Sequence, residues 1–188
     1  MIIGLTGKNA AGKGEIAKHL QSRGFIYFSL SDALRDEATR RKLGHSRDTL
    51  NNLGNELRRT YGNAILAKRI NEKIRQEQDK GKRDFIIDSI RNPGEISELK
   101  KNEGFLLVGV VTDEKIRFER LLRRGRIGDA KTLKELKEHE QRENLNKNTS
   151  QQLDATLKMA KFIVANDGSL EELHKKIYDL IKIISTQS

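Results

Sequence analysis

The 188-residue chain contains no cysteine and no tryptophan, a single proline and few aromatic residues. Without cysteine there are no disulfides, no thiolate zinc sites and no thiol catalysis, and a reducing, cytoplasmic setting is the expectation. No apolar run approaches the ~20 residues that span a bilayer, so no membrane partner is expected. The apolar start, Met1 to Thr6, is too short for the h-region of a signal peptide. Repeats, low-complexity tracts and linker-like stretches are also missing. At roughly 150 residues per domain, one domain over residues 1–188 is expected. What the chain has in abundance is charge, with 37 Lys and Arg against 27 Asp and Glu and a formal net charge of +10. Its apolar residues are clustered rather than diluted, which argues against disorder. The positive surplus suggests a polyanionic partner. The low aromatic content and the lack of an RNA-binding signature argue against nucleic acid.

Five short runs of strand-forming residues punctuate the chain: Ile2–Thr6, Phe25–Phe28, Phe85–Ile87, Phe105–Val111 and Phe162–Val164. They are continuously apolar rather than alternating, as in strands buried on both faces. Helical patterns lie between them, at Glu15–Arg23, Asp48–Gln78, Asp113–Arg124 and Ser169–Ile184. Strands alternating with helices imply βαβ units and a parallel sheet covered on both sides. The expected architecture is a three-layer α/β domain.

The segment Gly7-Lys8-Asn9-Ala10-Ala11-Gly12-Lys13-Gly14 follows the first strand and opens a helix. Glycines there let backbone N–H groups turn toward phosphate oxygens, and the helix adds its positive N-terminus. Lys13 reaches the β- and γ-phosphates as a point charge. The hydroxyl residue that normally follows this lysine and binds Mg²⁺ is replaced by Gly14, so Mg²⁺ must be held mainly by phosphates and water. Asp88, at the carboxyl end of the third strand, is placed to hold a Mg²⁺-bound water, or alternatively to cap the next helix. Arg91 follows just before Pro93 opens a helix, and its guanidinium suits a substrate phosphate. Asp32 and Arg35 lie on a helix after the second strand. Arg117, Arg120, Arg123, Arg124 and Arg126 crowd around Gly125. Ser169 reads as the cap of the last helix. The histidines His19, His45, His139 and His174 show no ligand spacing and read as surface residues.

The Gly-Lys-Gly ending of the loop resembles that of adenylate kinase and related nucleoside monophosphate kinases, which usually continue with Thr where this chain has Glu15. The resemblance implies a P-loop NTPase fold, with a five-stranded parallel sheet, a helical acceptor-binding insertion and a short lid. It implies a core of residues 1–30, 84–124 and 159–188, acceptor-binding helices over 31–80 and a lid over 125–145. It further implies that Gly7, Asn9, Ala10, Ala11, Gly12, Lys13, Gly14 and Glu15 contact ATP, with Asn166 and Gly168 beside the adenine. On the same basis Asp32, Arg35 and Arg91 serve the acceptor, and Arg120, Arg124 and Arg126 act with Lys13 in catalysis, with Arg142 as a further lid cation. ATP and Mg²⁺ are the implied phosphoryl donor and cofactor. A nucleoside monophosphate-like molecule is the implied acceptor, with a monomer or homodimer as the assembly.

Two narrower likenesses exist. Gly4-Leu5-Thr6-Gly7 is similar to dephospho-CoA kinases, whose acceptor is a hydroxyl and for which Asp32 is the candidate base. Ser29-x-Ser31-Asp32, Asp88-Ser89-Ile90-Arg91 and Gln151 to Ala155 together resemble the kinase-like domain at the amino end of some deoxycytidylate deaminases. The deaminase half needs a His/Cys zinc site, which a cysteine-free chain does not carry. Glu15 keeps a third alternative open, a catalytically weak nucleotide-binding regulatory domain.

Overall fold

The computed structural model describes residues 1–126, 128–144 and 151–186. Parts of two expected segments lie outside these limits: Ile127 and Leu145 of the lid, and residues 187–188 of the core. The strands are β1 (Ile2–Thr6), β2 (Ile26–Ser29), β3 (Phe85–Asp88), β4 (Phe105–Val111) and β5 (Phe162–Ala165). They form one sheet in the order β2-β3-β1-β4-β5, and every pairing is parallel.

The continuous apolar runs are explained by the two faces of this sheet. Alternate residues of a strand point to opposite sides, and here both sides are core. Ile2 of β1, Phe85 and Ile87 of β3 and Leu107 of β4 enter one cluster. Ile3 and Leu5, Ile86, Val108 and Val110 enter the other. Phe85, Ile86 and Ile87 are all fully buried, each worth ~1.5–3 kcal/mol of transfer free energy.

Helices α2 (Leu30–Arg40), α3 (Arg47–Tyr61), α4 (Ile65–Asp79) and α5 (Pro93–Leu99) cover the first face. Helices α1 (Lys13–Gln21) and α9 (Leu170–Thr186) cover the second. Three further helices lie among the described residues: α6 (Glu114–Arg124), α7 (Leu133–Glu143) and α8 (Leu153–Lys158). Leu121 of α6, Leu136 of α7 and Ala130 between the two helices make a small third cluster.

Sequence and structure differ in three places. The expected helical stretch Asp48–Gln78 is two helices, because Gly62 takes φ 88° and ends α3. Phe25 is not yet strand; its N–H closes a turn onto the Leu20 carbonyl. Asp88 does not cap α5. That role belongs to Asn92, whose side chain accepts from Gly94 N–H while Glu95 reaches back to the N–H of Asn92.

Strand order sets the position of any site. β1 lies between β3 and β4, so the chain leaving β1 stands where the crossovers diverge to opposite sides, a place where parallel α/β sheets open a crevice at their carboxyl ends.

Candidate active site

A cavity of about 840 Å³ opens at the carboxyl ends of the strands, near the upper end of the range for small-molecule sites. Its floor is the glycine-rich loop between β1 and α1. Gly7 (φ 145°) and Gly12 (φ 104°) have conformations that side chains rarely adopt. A Cβ on Gly7 would overlap the Val110 carbonyl, and one on Gly12 would overlap the Asn166 amide. Ala10 also has positive φ, at 59°, and its N–H is held by Asn9 Oδ1 at 3.0 Å. Lys13 is folded under the loop, donating to the carbonyls of Gly7 at 2.7 Å and Lys8 at 3.1 Å. Gly14 is the second residue of α1 and has open space around its Cα. Glu15, on the next position, turns to Lys18 at 3.0 Å.

The carboxyl end of β3 supplies Asp88, paired in register with Ser29 of β2. Its Oδ1 accepts from Ser89 N–H at 2.5 Å, and Ser89 takes the left-handed φ of 67°. Asp88 Oδ2 makes no hydrogen bond among the described residues. Tyr27 beside it also lines the cavity; burial, then the Asp88 charge, pushes its phenol above the usual range.

On one side of the cavity Asp32 binds Arg35 at 2.6 Å. The helix they share is capped by Ser29, which accepts from Asp32 N–H, so the Asp32 carboxylate orients Arg35 instead of capping. Arg91 lines the same side and donates to Gln151 at 3.0 Å. Its backbone N–H is held by Glu95, a fully buried carboxylate that also pairs with Arg58 at 3.1 Å.

On the other side stand the cations of α6. Arg120 donates to the Asn166 carbonyl at 3.0 Å, and its buried NH1 has no hydrogen-bond partner among the described residues. Arg124 makes a two-point pair with Asp129, at 2.6 and 2.8 Å, and a longer contact of 3.3 Å to Asn9. Arg126 lines the cavity without a polar side-chain contact among the described residues. The two remaining arginines of that crowd stand elsewhere. Arg117 is buried against the Thr112 carbonyl and Glu140, and Arg123 faces solvent beside Glu119. Arg142 is exposed and outside the cavity lining.

Asn166 and Gly168 both line the cavity. The Asn166 amide, however, is spent on the loop, donating to the Ala11 carbonyl at 2.9 Å. Ser169 caps α9, accepting from Glu172 N–H.

Several lining residues escaped sequence reasoning, among them Arg58, Asn51, Arg47 and His45. Arg58 left one signal, a cation inside the otherwise apolar face of Leu50, Leu53 and Leu57. His45 is exposed as expected, whereas His19, His139 and His174 are half-buried. His19 stacks on His174 with centroids 4.1 Å apart, His45 bonds Thr39, and His139 meets Arg47 at 3.2 Å.

A UPF0200 protein of Sulfurisphaera tokodaii is 33% identical over 184 residues, 97% of either chain. One of Pyrococcus horikoshii is 31% identical over 189 residues, 98% of either. The chain belongs to the UPF0200 family. This UPF0200 chain also matches the AAA domain family over residues 6–137, from the last residue of β1 into α7. Among solved structures, dephospho-CoA kinase from Campylobacter jejuni superposes with a TM-score of 0.57 at 17% identity, covering 99% of this chain and 98% of that one. Shikimate kinase from Aquifex aeolicus gives 0.53 at 15%, over the whole of both chains. These likenesses are of fold, and the fold is that of P-loop kinases.

Proposed function

We propose that the chain is an ATP-dependent phosphotransferase that moves the γ-phosphoryl group to a nucleoside monophosphate-like small molecule. One observation carries this reading. A single cavity joins a lysine-bearing glycine loop to a second set of cations suited to a phosphate, Arg35 and Arg91. A protein that only hydrolyses or senses a nucleotide has no need of the second set.

In this reading Gly7 to Gly14 cradle the donor phosphates, and Lys13 exchanges its loop carbonyls for phosphate oxygens. Asn166 keeps the loop in shape while the backbone near Gly168 lies beside the base. Arg120, Arg124 and Arg126 oppose charge as it develops on the transferring group. Asp88 fits a metal-bound water through its unengaged Oδ2. No group of three His, Asp or Glu side chains converges among the described residues, so the divalent ion would depend largely on the nucleotide's own oxygens. A divalent ion held in this way would supply charge neutralisation to the donor phosphates. The helices of residues 31–80 form the acceptor side, and residues 125–145 the lid. No helix among the described residues is long and apolar enough to cross a membrane; in this reading the enzyme works in the cytoplasm.

A phosphate acceptor is already nucleophilic and needs no base. Transfer to a hydroxyl, as in the dephospho-CoA kinase reading, needs a carboxylate at liberty to take a proton. Asp32 is tied to Arg35 at 2.6 Å, which favours the phosphate acceptor.

The test is a panel of nucleoside monophosphates and dephospho-CoA with Mg·ATP. At least one monophosphate is expected to raise ADP formation well above water hydrolysis. Lys13→Ala and Arg35→Ala are each expected to lower kcat/KM at least 10²-fold, with the Arg35 loss felt through the acceptor. If no acceptor raises ADP formation and Lys13→Ala changes nothing, the reading fails.

A further inference from the structure

Three polar side chains on the acceptor side are joined end to end. Arg91 NH1 donates to Gln151 Oε1 at 3.0 Å, and Gln151 Nε2 donates to Asn51 Oδ1 at 3.1 Å. All three line the cavity, and they come from three places: Asn51 from α3, Arg91 from the β3–α5 turn, Gln151 from just before α8.

The direction of the chain is forced. A guanidinium has donors and no acceptor. Its contact therefore turns the oxygen of Gln151 toward Arg91 and the nitrogen toward Asn51. That nitrogen turns the oxygen of Asn51 toward Gln151. What is left at the end is the NH₂ group of Asn51, which has no partner among the described residues, with the second N–H of Gln151 beside it. An asparagine that is free to flip offers donor or acceptor; this one is set as a donor.

The start of the relay is held as firmly. The Arg91 carbonyl accepts from Gln152 N–H at 2.8 Å. The Arg91 N–H is held by Glu95, itself pinned by Arg58. One end of the relay is thus a predicted phosphate ligand and the other end a fixed pair of donors.

We infer that Asn51 is a specificity-determining residue, oriented by Gln151, that donates to an exocyclic keto oxygen on the base of the phosphoryl acceptor. The favoured acceptors carry a keto group on that edge, as guanine and uracil do. Adenine, whose exocyclic group is an amino donor, meets the Asn51 NH₂ donor to donor. Asn51 and Gln151 are half-buried, and a site built to hydrogen-bond one group discriminates against a ligand that leaves its donor unpaired. This inference rests on the phosphotransferase reading.

The experiment measures binding of GMP, UMP, AMP and CMP by calorimetry, and kcat/KM for each with Mg·ATP. Wild type is expected to prefer GMP or UMP over AMP by at least tenfold. Asn51→Asp keeps an oxygen for Gln151 but replaces the free NH₂ with an acceptor. It is expected to reduce that ratio at least tenfold and to improve AMP in relative terms. Gln151→Leu releases the orientation, so the ratio falls toward one while the ATP KM is unchanged. Equal binding of AMP and the keto bases by wild type overturns the inference, as does an Asn51→Asp ratio equal to that of wild type. Absence of binding by all four monophosphates overturns it too. Selective binding without any phosphoryl transfer leaves the specificity role standing and removes the phosphotransferase reading.

Discussion

The two glycines that flank the loop lysine have opposite roles. Gly12 has φ 104°, and a Cβ there would overlap the Asn166 amide. Gly14 is helical and has nothing within 4 Å of a Cβ position. Gly12→Ala is therefore expected to lose ~1–3 kcal/mol in urea unfolding, from backbone strain and the broken Asn166–Ala11 bond. Gly14→Ala is expected to be neutral or to gain up to ~1 kcal/mol, since Ala is the better helix former. Equal effects of the two would refute this account. Glu37 gives a prediction of another kind. Nearly buried, it is bonded to Arg40, Arg41 and Arg69, and these contacts, Arg40 foremost, hold its carboxyl at about 2 against an ordinary 4.5. Because the folded state binds its proton less tightly than the unfolded one, its stabilisation is full above pH 4.5 and disappears as pH falls toward 2. Glu37→Gln should flatten the fall in Tm between pH 4.5 and 2.5, as read by circular dichroism. At this scale the loop was legible because its glycines, its lysine and its place after a strand are contiguous in sequence. The Asn166 clamp was not, since it closes over 155 positions and an Asn-Asp-Gly-Ser turn looks the same with or without it.

The strands were readable as elements because burial on both faces leaves an unbroken apolar run, and length separates such a run from a helix. Helix α7 was not among the helical patterns read from the sequence, where its residues fell only within the expected lid. Glu140 there is buried and binds both Arg117 of α6 and Lys8 of the loop, the latter at 2.8 Å, while His139 reaches Arg47 of α3. No periodicity of α7 announces partners 92 and 132 residues away. Glu140→Ala strands the buried Arg117, and loss of one member of a buried pair costs ~3–5 kcal/mol; differential scanning calorimetry checks it. The α1–α9 contact gives a pH-dependent prediction. His19 stacks on His174, and Arg23 of the same segment lies over Tyr178. Burial first, then the charges of His174 and Arg23, lowers the proton affinity of His19. Below pH 6.5 the unfolded chain therefore takes up the proton more readily, and stability falls as pH drops through that value. His19→Gln is expected to show a smaller Tm loss between pH 7.5 and 5.5 than wild type, and an unchanged slope would rule out His19 as the source.

At the scale of the whole molecule the question is where the net charge of +10 acts. Nine Lys and Arg side chains line the cavity against four Asp and Glu, so half of the surplus is gathered at one opening. A concave site of one sign speeds the approach of an anion. The exposed cluster Lys80, Lys82 and Arg83 precedes β3, whereas the cavity lies beyond its carboxyl end. Four strand residues at about 3.3 Å each separate the two by ~13 Å, more than the ~8 Å over which charge is felt at physiological salt. Position and not total charge should then govern nucleotide capture. The association rate of a fluorescent ATP analogue, followed by stopped flow at 150 mM salt, is expected to fall several-fold in Arg126→Glu, which reverses one charge at the rim. The double variant Lys82→Glu, Arg83→Glu changes the net charge twice as much, yet should leave the rate within about twofold. Raising salt to 500 mM should slow wild type and shrink the gap between it and Arg126→Glu, because the ions that screen the ligand screen the rim as well. If the double variant slows capture as much as Arg126→Glu, the cavity has no privileged field and the surplus acts only through its sum.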